Sequence, residues 1–259
     1  MKFVNAELAK LSDWFRANKL SLNVNKTNYI IFRNRSRNCF DSNFHIVIDD
    51  KNIERVSYTK FLGVFVDEDL NWKHHASEIA LKISRNIGVL NRVKHILPFD
   101  SLLTLYYTLI HPHFLYCNIV WGGASQTALN RLVCLQKRAL RVISRSEYRA
   151  PSSPLFKRFG ILKLPDIHKF QIYMFMHKYK YDLLPVSCST LVRLKVDAAC
   201  YDFRRENEFV TFNFFTEIRK KSISVIGPDL WNNLHDSIKN VSSISGFKSL
   251  LLGSFIESY

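Results

Sequence analysis

An α+β fold is what this chain of 259 residues predicts: a small mixed unit over residues 1–70, a mostly helical region over 71–182 and a less regular segment over 183–259. Three observations lead there. Short β-rich runs separated by turn chemistry fill the first seventy residues. From Trp72 onward the apolar residues recur at three- and four-residue steps, the period of a helix. A hydrophobic content of 47%, with 8 glycines and 7 prolines, supplies one sizeable core or two modest ones and little material for long linkers.

The first element is a helix over residues 5–18, where Leu8, Leu11, Ser12 and Phe15 fall on one side and Asn18 ends the period. Thr27 to Phe32 is a β-rich run, followed by the basic loop Arg33-Asn34-Arg35-Ser36-Arg37-Asn38. Phe44 to Ile48 alternates as a strand does, and Asp49-Asp50-Lys51-Asn52 is turn composition. Tyr58 to Val66 reads as one more strand, centred on Phe61-Leu62-Gly63-Val64. Ile79, Ile83, Ile87, Leu90 and Val93 then form one apolar stripe that ends at Leu97-Pro98. Asp100 or Ser101 starts a helix through Leu102, Leu105, Tyr106 and Leu109, and the chain breaks near Pro112. Ser125 is placed to cap a helix through Leu129, Leu132, Val133, Gln136, Leu140 and Ile143. Pro151 and Pro154 punctuate, and a further helix covers 165–181. Beyond Arg204 the pattern is less regular: Gly227-Pro228 breaks it, and 247–255 closes as a short helix.

Lys and Arg number 37 against 22 Asp and Glu, a net charge of +15. Such an excess favours a polyanionic partner, nucleic acid before an acidic membrane. A basic surface with no specific partner is the plainer alternative. The five cysteines are odd in number and widely spaced, with no CxxC pair. That argues against a disulfide framework or a zinc ribbon and fits a reducing compartment. No apolar leader follows Met1, so the expected location is intracellular, in nucleus or cytoplasm, and not secreted. The window 102–121 is strongly apolar, but His111-Pro112-His113 is costly at bilayer depth. A broken pair of buried helices is expected there, and no membrane partner. His111, His113 and Cys117 have tolerable ligand spacing, yet no further cluster joins them, so they read as core residues rather than a metal site. Trp14, Trp72, Trp121 and Trp231 read as packing residues, with base stacking as the alternative.

Residues 11–32 present a helix carrying Trp14 and Phe15, a break at Asn18, then Lys26-Thr27 and a strand. That order resembles the lysine-bearing motif near the end of a reverse transcriptase palm in the non-LTR (LINE, jockey-like) retrotransposon family. Lys60-Phe61-Leu62-Gly63-Val64-Phe65-Val66-Asp67, with Leu70-Asn71-Trp72 and His74-His75, resembles the family's next motif, the hairpin that holds the primer end. Phe61, Leu62 and Gly63 would be its primer-grip-like residues, and Gly63 suits a place where backbone approaches a nucleic-acid strand. Leu135-Gln136-Lys137-Arg138-Ala139-Leu140-Arg141 is similar to the helical region after the palm. Gly227-Pro228-Asp229-Leu230-Trp231-Asn232-Asn233-Leu234, with Phe247-Lys248, is similar to the terminal segment of these elements. The resemblance covers nearly the whole chain. It implies a palm remnant followed by a thumb-like region, in a family of RNA-directed DNA polymerases that use Mg²⁺.

Two-metal phosphoryl transfer needs carboxylates converging from separate strands. The family's double Asp precedes the lysine motif, whereas here Asp49-Asp50 follows Lys26, and Asp13 alone among aspartates comes before it. Asp49-Asp50 therefore reads as turn chemistry, and so do Asp67 and Asp69. The expectation is a truncated polymerase fragment that is inactive alone and takes no cofactor. Lys26 is then a vestigial general acid, a phosphate-binding cation or a solvated side chain. Nucleic-acid contacts are expected at Lys26 and along a helix drawn from Ser125 to Arg145. Arg131, Arg138 and Arg145 are seven residues apart there and fall nearly on one line, widened by Lys137 and Arg141. The expected partner is RNA or an RNA–DNA duplex, held without sequence choice; the plain alternative for the row is a solvated charged face. Arg219-Lys220-Lys221 reads as a solvated basic cluster. Two rival readings stay open: a polymerase half completed by missing upstream residues or a partner chain, and a helical interaction protein whose charge is incidental.

Overall fold

The computed structural model describes residues 2–32, 45–49, 51–195 and 208–259. The basic loop at 33–38, Cys39, Phe44, Asp50 and Cys200 lie outside the described residues. The fold is α+β, in two units, Met1–His75 and Ala76–Tyr259.

The first unit opens with helix α1 (Lys2–Ala17), which packs on strand β2 (Val47–Ile48). Its inward residues are Leu8, Ser12 and Phe15, while Leu11, expected on that face, is exposed. The β-rich runs form short ladders. Strand β1 (Asn28–Tyr29) lies parallel to β4 (Glu54–Arg55), and β2 pairs antiparallel with β3 (Lys51–Asn52). The single strand that the residue pattern suggested over Tyr58 to Val66 is a hairpin, as the resemblance implied: β5 (Tyr58–Phe61) returns as β6 (Val64–Asp67), with Phe61 opposite Val64. The cause is local. Leu62 and Gly63 both take positive φ, 45° and 85°, the geometry of a two-residue turn whose twist matches that of the paired strands. Ile48, Ile53 and Val64 supply the buried apolar side chains of this unit.

Helix α2 (Lys73–Val93) carries the predicted stripe, with Ile79, Ile83, Ile87 and Leu90 all buried. It is followed by α3 (Phe99–Leu109) and α4 (His111–Leu115), which meet at the break expected near Pro112. Pro112 sits in the first turn of α4, where its missing N–H costs nothing. Then come α5 (Asn118–Trp121), α6 (Gln126–Ile143), α7 (Ser153–Phe159) and α8 (Leu164–Lys180). After the interval at 196–207 follow α9 (Glu217–Lys220), α10 (Ile223–Asn232), α11 (Asp236–Lys239) and α12 (Ile244–Glu257). Helix α8 is the centre of the second unit: α4, α5, α6, α10 and α12 all pack on it. The sequence expectation of a break at Gly227-Pro228 is corrected here, because both residues lie inside α10. Pro228 forfeits one bond to the carbonyl of Ser224, near the start of the helix. Gly227 compensates by letting α10 lie close on α8; a Cβ there would stand 2.6 Å from Met176 Sδ. Trp121, Trp231, Tyr106, Phe114, Phe156 and Phe247 are fully buried. Among the described residues no helix is long and apolar enough to cross a membrane.

Candidate nucleic-acid interface

Helix α6 is amphipathic in the way its sequence implies. The Ser125 hydroxyl accepts the N–H of Ala128 at 3.4 Å, capping the first turn. Leu129, Leu132, Gln136, Ala139, Leu140 and Ile143 are buried. Gln136, counted by spacing with the apolar residues, is a polar hub in the core. Its amide nitrogen donates to the Leu162 carbonyl at 2.8 Å and to the Tyr106 hydroxyl at 3.3 Å, and its amide oxygen accepts the Leu164 N–H at 2.9 Å. Burial pushes the Tyr106 phenol above its ordinary pKa, so at neutral pH that hydroxyl stays protonated.

Arg131 and Arg138 are exposed on the outer face of α6, two turns apart, with Lys137 half-buried beside them. The other two arginines of the expected row are employed differently. Arg141 Nε donates to the Ala150 carbonyl at 2.8 Å, tying down the turn after the helix. The helix ends at Ile143, two residues earlier than drawn from the sequence, and Arg145 lies beyond it with φ of 54°. Its guanidinium donates to the carbonyls of Lys94 and Leu97, both at 3.0 Å, in the turn between α2 and α3. Arg145 thus ties down the α2–α3 turn by supplying donors to two of its carbonyls. A seven-residue spacing reveals which side of a helix a residue would face; it does not reveal where the helix stops.

In the first unit Lys26 is exposed, at the end of a single 3₁₀ turn (Val24–Lys26) that leads into β1. The β5–β6 hairpin presents Phe61 and Leu62 at its tip, 65% and 73% exposed. Behind the tip the hairpin is braced. His74 packs on Tyr58 and Phe65, with ring centroids 4.0 and 4.9 Å away. The backbone N–H of Phe65 donates to His75 Nδ1 at 3.3 Å. Gly63 has a local reason to be glycine, since φ of 85° is strained for any residue with a Cβ.

The carboxylates of this unit are engaged structurally. Asp49, with φ of 48°, sits at the β2–β3 turn and accepts from the Ser12 hydroxyl at 2.7 Å and from the Arg16 guanidinium. Asp67 accepts the N–H groups of Asp69, Asn71 and Trp72 at 3.2, 3.1 and 3.0 Å, and Asn71 accepts the N–H of Lys73 at 2.9 Å. Together they hold the two left-handed residues Leu70 and Trp72 at the entrance to α2. The sequence reading gave Asp67 as turn chemistry but not its hold on the helix entrance, although an Asp and an Asn in the six residues before a helix signal capping. Among the described residues no three His, Cys, Asp or Glu side chains form a group that could hold a metal ion. Of the four tryptophans, Trp121 and Trp231 are core residues, whereas Trp14 is exposed.

The chain is 22% identical over 162 residues to the probable RNA-directed DNA polymerase from transposon X-element of Drosophila melanogaster. That alignment covers 61% of this chain and 17% of the relative. It is 26% identical over 140 residues to the RNA-directed DNA polymerase from mobile element jockey of Drosophila funebris, covering 53% of this chain and 15% of that one. The chain therefore spans about a sixth of the length of these curated relatives. No family model matches it, and no solved structure does. Similarity over more than half of the chain to two such proteins supports the family resemblance: the chain is related to the reverse transcriptases of jockey-like, non-LTR mobile elements.

Proposed function

We propose that these residues form the part of a jockey-like reverse transcriptase that follows its metal-binding strands, and that they grip RNA or RNA–DNA duplex through the phosphate backbone without extending a primer themselves. The observation that carries this reading is the outer face of α6. Arg131 and Arg138 stand exposed there while the opposite face of the same helix is buried, so the helix is docked and its cations point to solvent. A net charge of +15 favours the same kind of partner. The engaged carboxylates Asp49 and Asp67 support the absence of polymerisation by this chain alone.

Titration of the full chain with a fluorescent RNA–DNA duplex at several salt concentrations tests the proposal. Each phosphate contact contributes about 0.9 to the slope of log affinity against log salt. Replacing Arg131 and Arg138 together by Glu is expected to flatten that slope by about 2 and to weaken binding at least ten-fold at low salt. Unchanged affinity in the double variant would remove α6 from the interface. Primer extension with Mg²⁺, dNTPs and a primed RNA template is expected to yield no product; clear extension by the chain alone would overturn the reading.

A further inference from the structure

Residues 211–221 form an unbroken run of exposed side chains. They include Phe212, Phe214 and Phe215, which are 41%, 38% and 99% exposed, and Ile218. The run is held at both ends. Before it, Phe209 is fully buried, its N–H donating to Asn232 Oδ1 and its carbonyl accepting from Asn232 Nδ2, both at 2.9 Å. Val210 donates its N–H to the Arg193 carbonyl at 2.9 Å. Within it the Thr216 hydroxyl caps α9; after it, the Ser222 hydroxyl donates to the Arg219 carbonyl at 2.8 Å, and Val225 is buried. A tethered segment that keeps three phenylalanines in water is unusual, because contiguous exposed apolar surface on a soluble unit marks a contact site.

The neighbours of the rings say what kind of contact. Arg219, Lys220 and Lys221 follow within a few residues, and Lys220 Nζ stands 5.7 Å from the centroid of the Phe214 ring. Rings followed by three cations, with one acidic side chain, Glu217, between them, suit a ligand that has both flat faces and negative charge. Single-stranded nucleic acid has them: unpaired bases stack on aromatic side chains whatever their identity, and the phosphates between them take the cations. A duplex offers phosphates but hides its base faces. A lipid surface is the less suitable occupant, since interfacial segments lay an amphipathic helix in the headgroups, and here the rings lie on the non-helical stretch before a four-residue helix.

We propose that residues 211–221 are a stacking platform for single-stranded RNA or DNA, in which Phe212, Phe214 and Phe215 receive bases and Arg219, Lys220 and Lys221 receive phosphates. This deepens the proposed function by adding a single-strand site separate from the duplex-facing arginines of α6. The test uses the full chain and fluorescence anisotropy, with labelled oligouridylate of about 20 nucleotides and an RNA–DNA duplex of the same length. The double variant F214A/F215A is expected to lose about ten-fold or more in affinity for oligouridylate, with duplex affinity changed less than about two-fold. These side chains are exposed, so the fold is not at stake; an unchanged melting temperature confirms that. The variant F214L/F215L keeps apolar area but removes the π-faces, and it is expected to bind oligouridylate as poorly as the Ala variant. Parent-like binding by the Leu variant would overturn stacking in favour of apolar docking. Binding of the parent to phosphatidylserine–phosphatidylcholine vesicles with no binding to oligouridylate would overturn it as well. The two sites fail separately. If R131E/R138E loses the duplex and oligouridylate binding still depends on the phenylalanines, both readings stand. If oligouridylate binding depends on the rings but the duplex is never bound, the α6 interface falls and the stacking platform stands.

Discussion

Gln136 shows what one side chain does for this fold. It is fully buried, and it answers three partners that would otherwise lack one: the Leu162 carbonyl, the Leu164 N–H and the Tyr106 hydroxyl. A buried donor or acceptor left unsatisfied costs about 1–3 kcal/mol, so replacing Gln136 by Leu, which fills similar volume, is expected to destabilise the protein by about 2–4 kcal/mol. Urea unfolding followed by circular dichroism reads that loss; a change below about 0.5 kcal/mol would mean the network is not closed as described. The position of Gln136 on the inward face was legible from its spacing to Leu132 and Leu140, whereas its partners were not. They lie 26 to 30 residues away in sequence, and helical period carries no information about which loop will cross a given turn. The same limit separates the tryptophans. All four look alike in a string of letters, yet Trp121 and Trp231 are core and Trp14 faces solvent, because burial is decided by what packs opposite.

At the scale of elements, length governed what could be read. Helices α2 and α6 are 21 and 18 residues long and repeat their apolar period several times, so their inward faces follow from the sequence, whereas α8, at 17 residues, was legible only as a helix because its apolar residues run around it. The four-residue helices α5, α9 and α11 complete barely one turn and carry no period; packing and caps define them. The residue pattern over Tyr58 to Val66 read as one strand, while the family resemblance implied a hairpin, and the backbone at Leu62 and Gly63 makes the hairpin. That backbone makes a prediction. Gly63→Ala places a Cβ at φ of 85° and is expected to cost about 1 kcal/mol. Leu62→Asn relieves a left-handed leucine and is expected to raise stability by about 0.5–1 kcal/mol, since Asn tolerates that region. Thermal melts of the two variants should move in opposite directions; a drop for Leu62→Asn would show that Leu62 contributes more by packing than it costs in strain. The arginines of α6 divide by the same reasoning. Arg145→Ala removes two hydrogen bonds to the turn between α2 and α3 and is expected to lower stability by about 1 kcal/mol. Arg131→Ala should leave the melting temperature unchanged and affect only binding.

Across the whole molecule, burial of imidazole sets a dependence on pH. His111, His168 and His177 all have their pKa lowered, in each case chiefly by burial, and Lys180 adds repulsion against a charged His177. His177 donates from Nε2 to the Val241 carbonyl at 2.8 Å and stacks on Phe247 with centroids 4.2 Å apart, while its Nδ1 is buried with no hydrogen-bond partner. His168 has Nδ1 beside the Asn118 carbonyl and side-chain oxygens, at 3.2 and 3.1 Å, and its Nε2 is likewise buried without a partner. Burial disfavours the charged ring in the folded protein, so each imidazole takes up its proton at lower pH there than in the unfolded chain, whose ordinary value is about 6.5. Below that value the unfolded state binds more protons, so stability must rise with pH there. The contribution is complete above about pH 6.5 and is lost as the pH falls through it toward the depressed folded values. Acid also adds to a net charge that is already +15, and self-repulsion alone would lower the melting temperature. A variant separates the two causes. His177→Gln can keep a donor toward Val241 without a titrating ring; it is expected to melt lower than the parent at neutral pH but to lose less between about pH 7 and pH 5. If parent and variant decline in parallel, repulsion among the basic side chains accounts for the acid sensitivity and His177 contributes nothing to it.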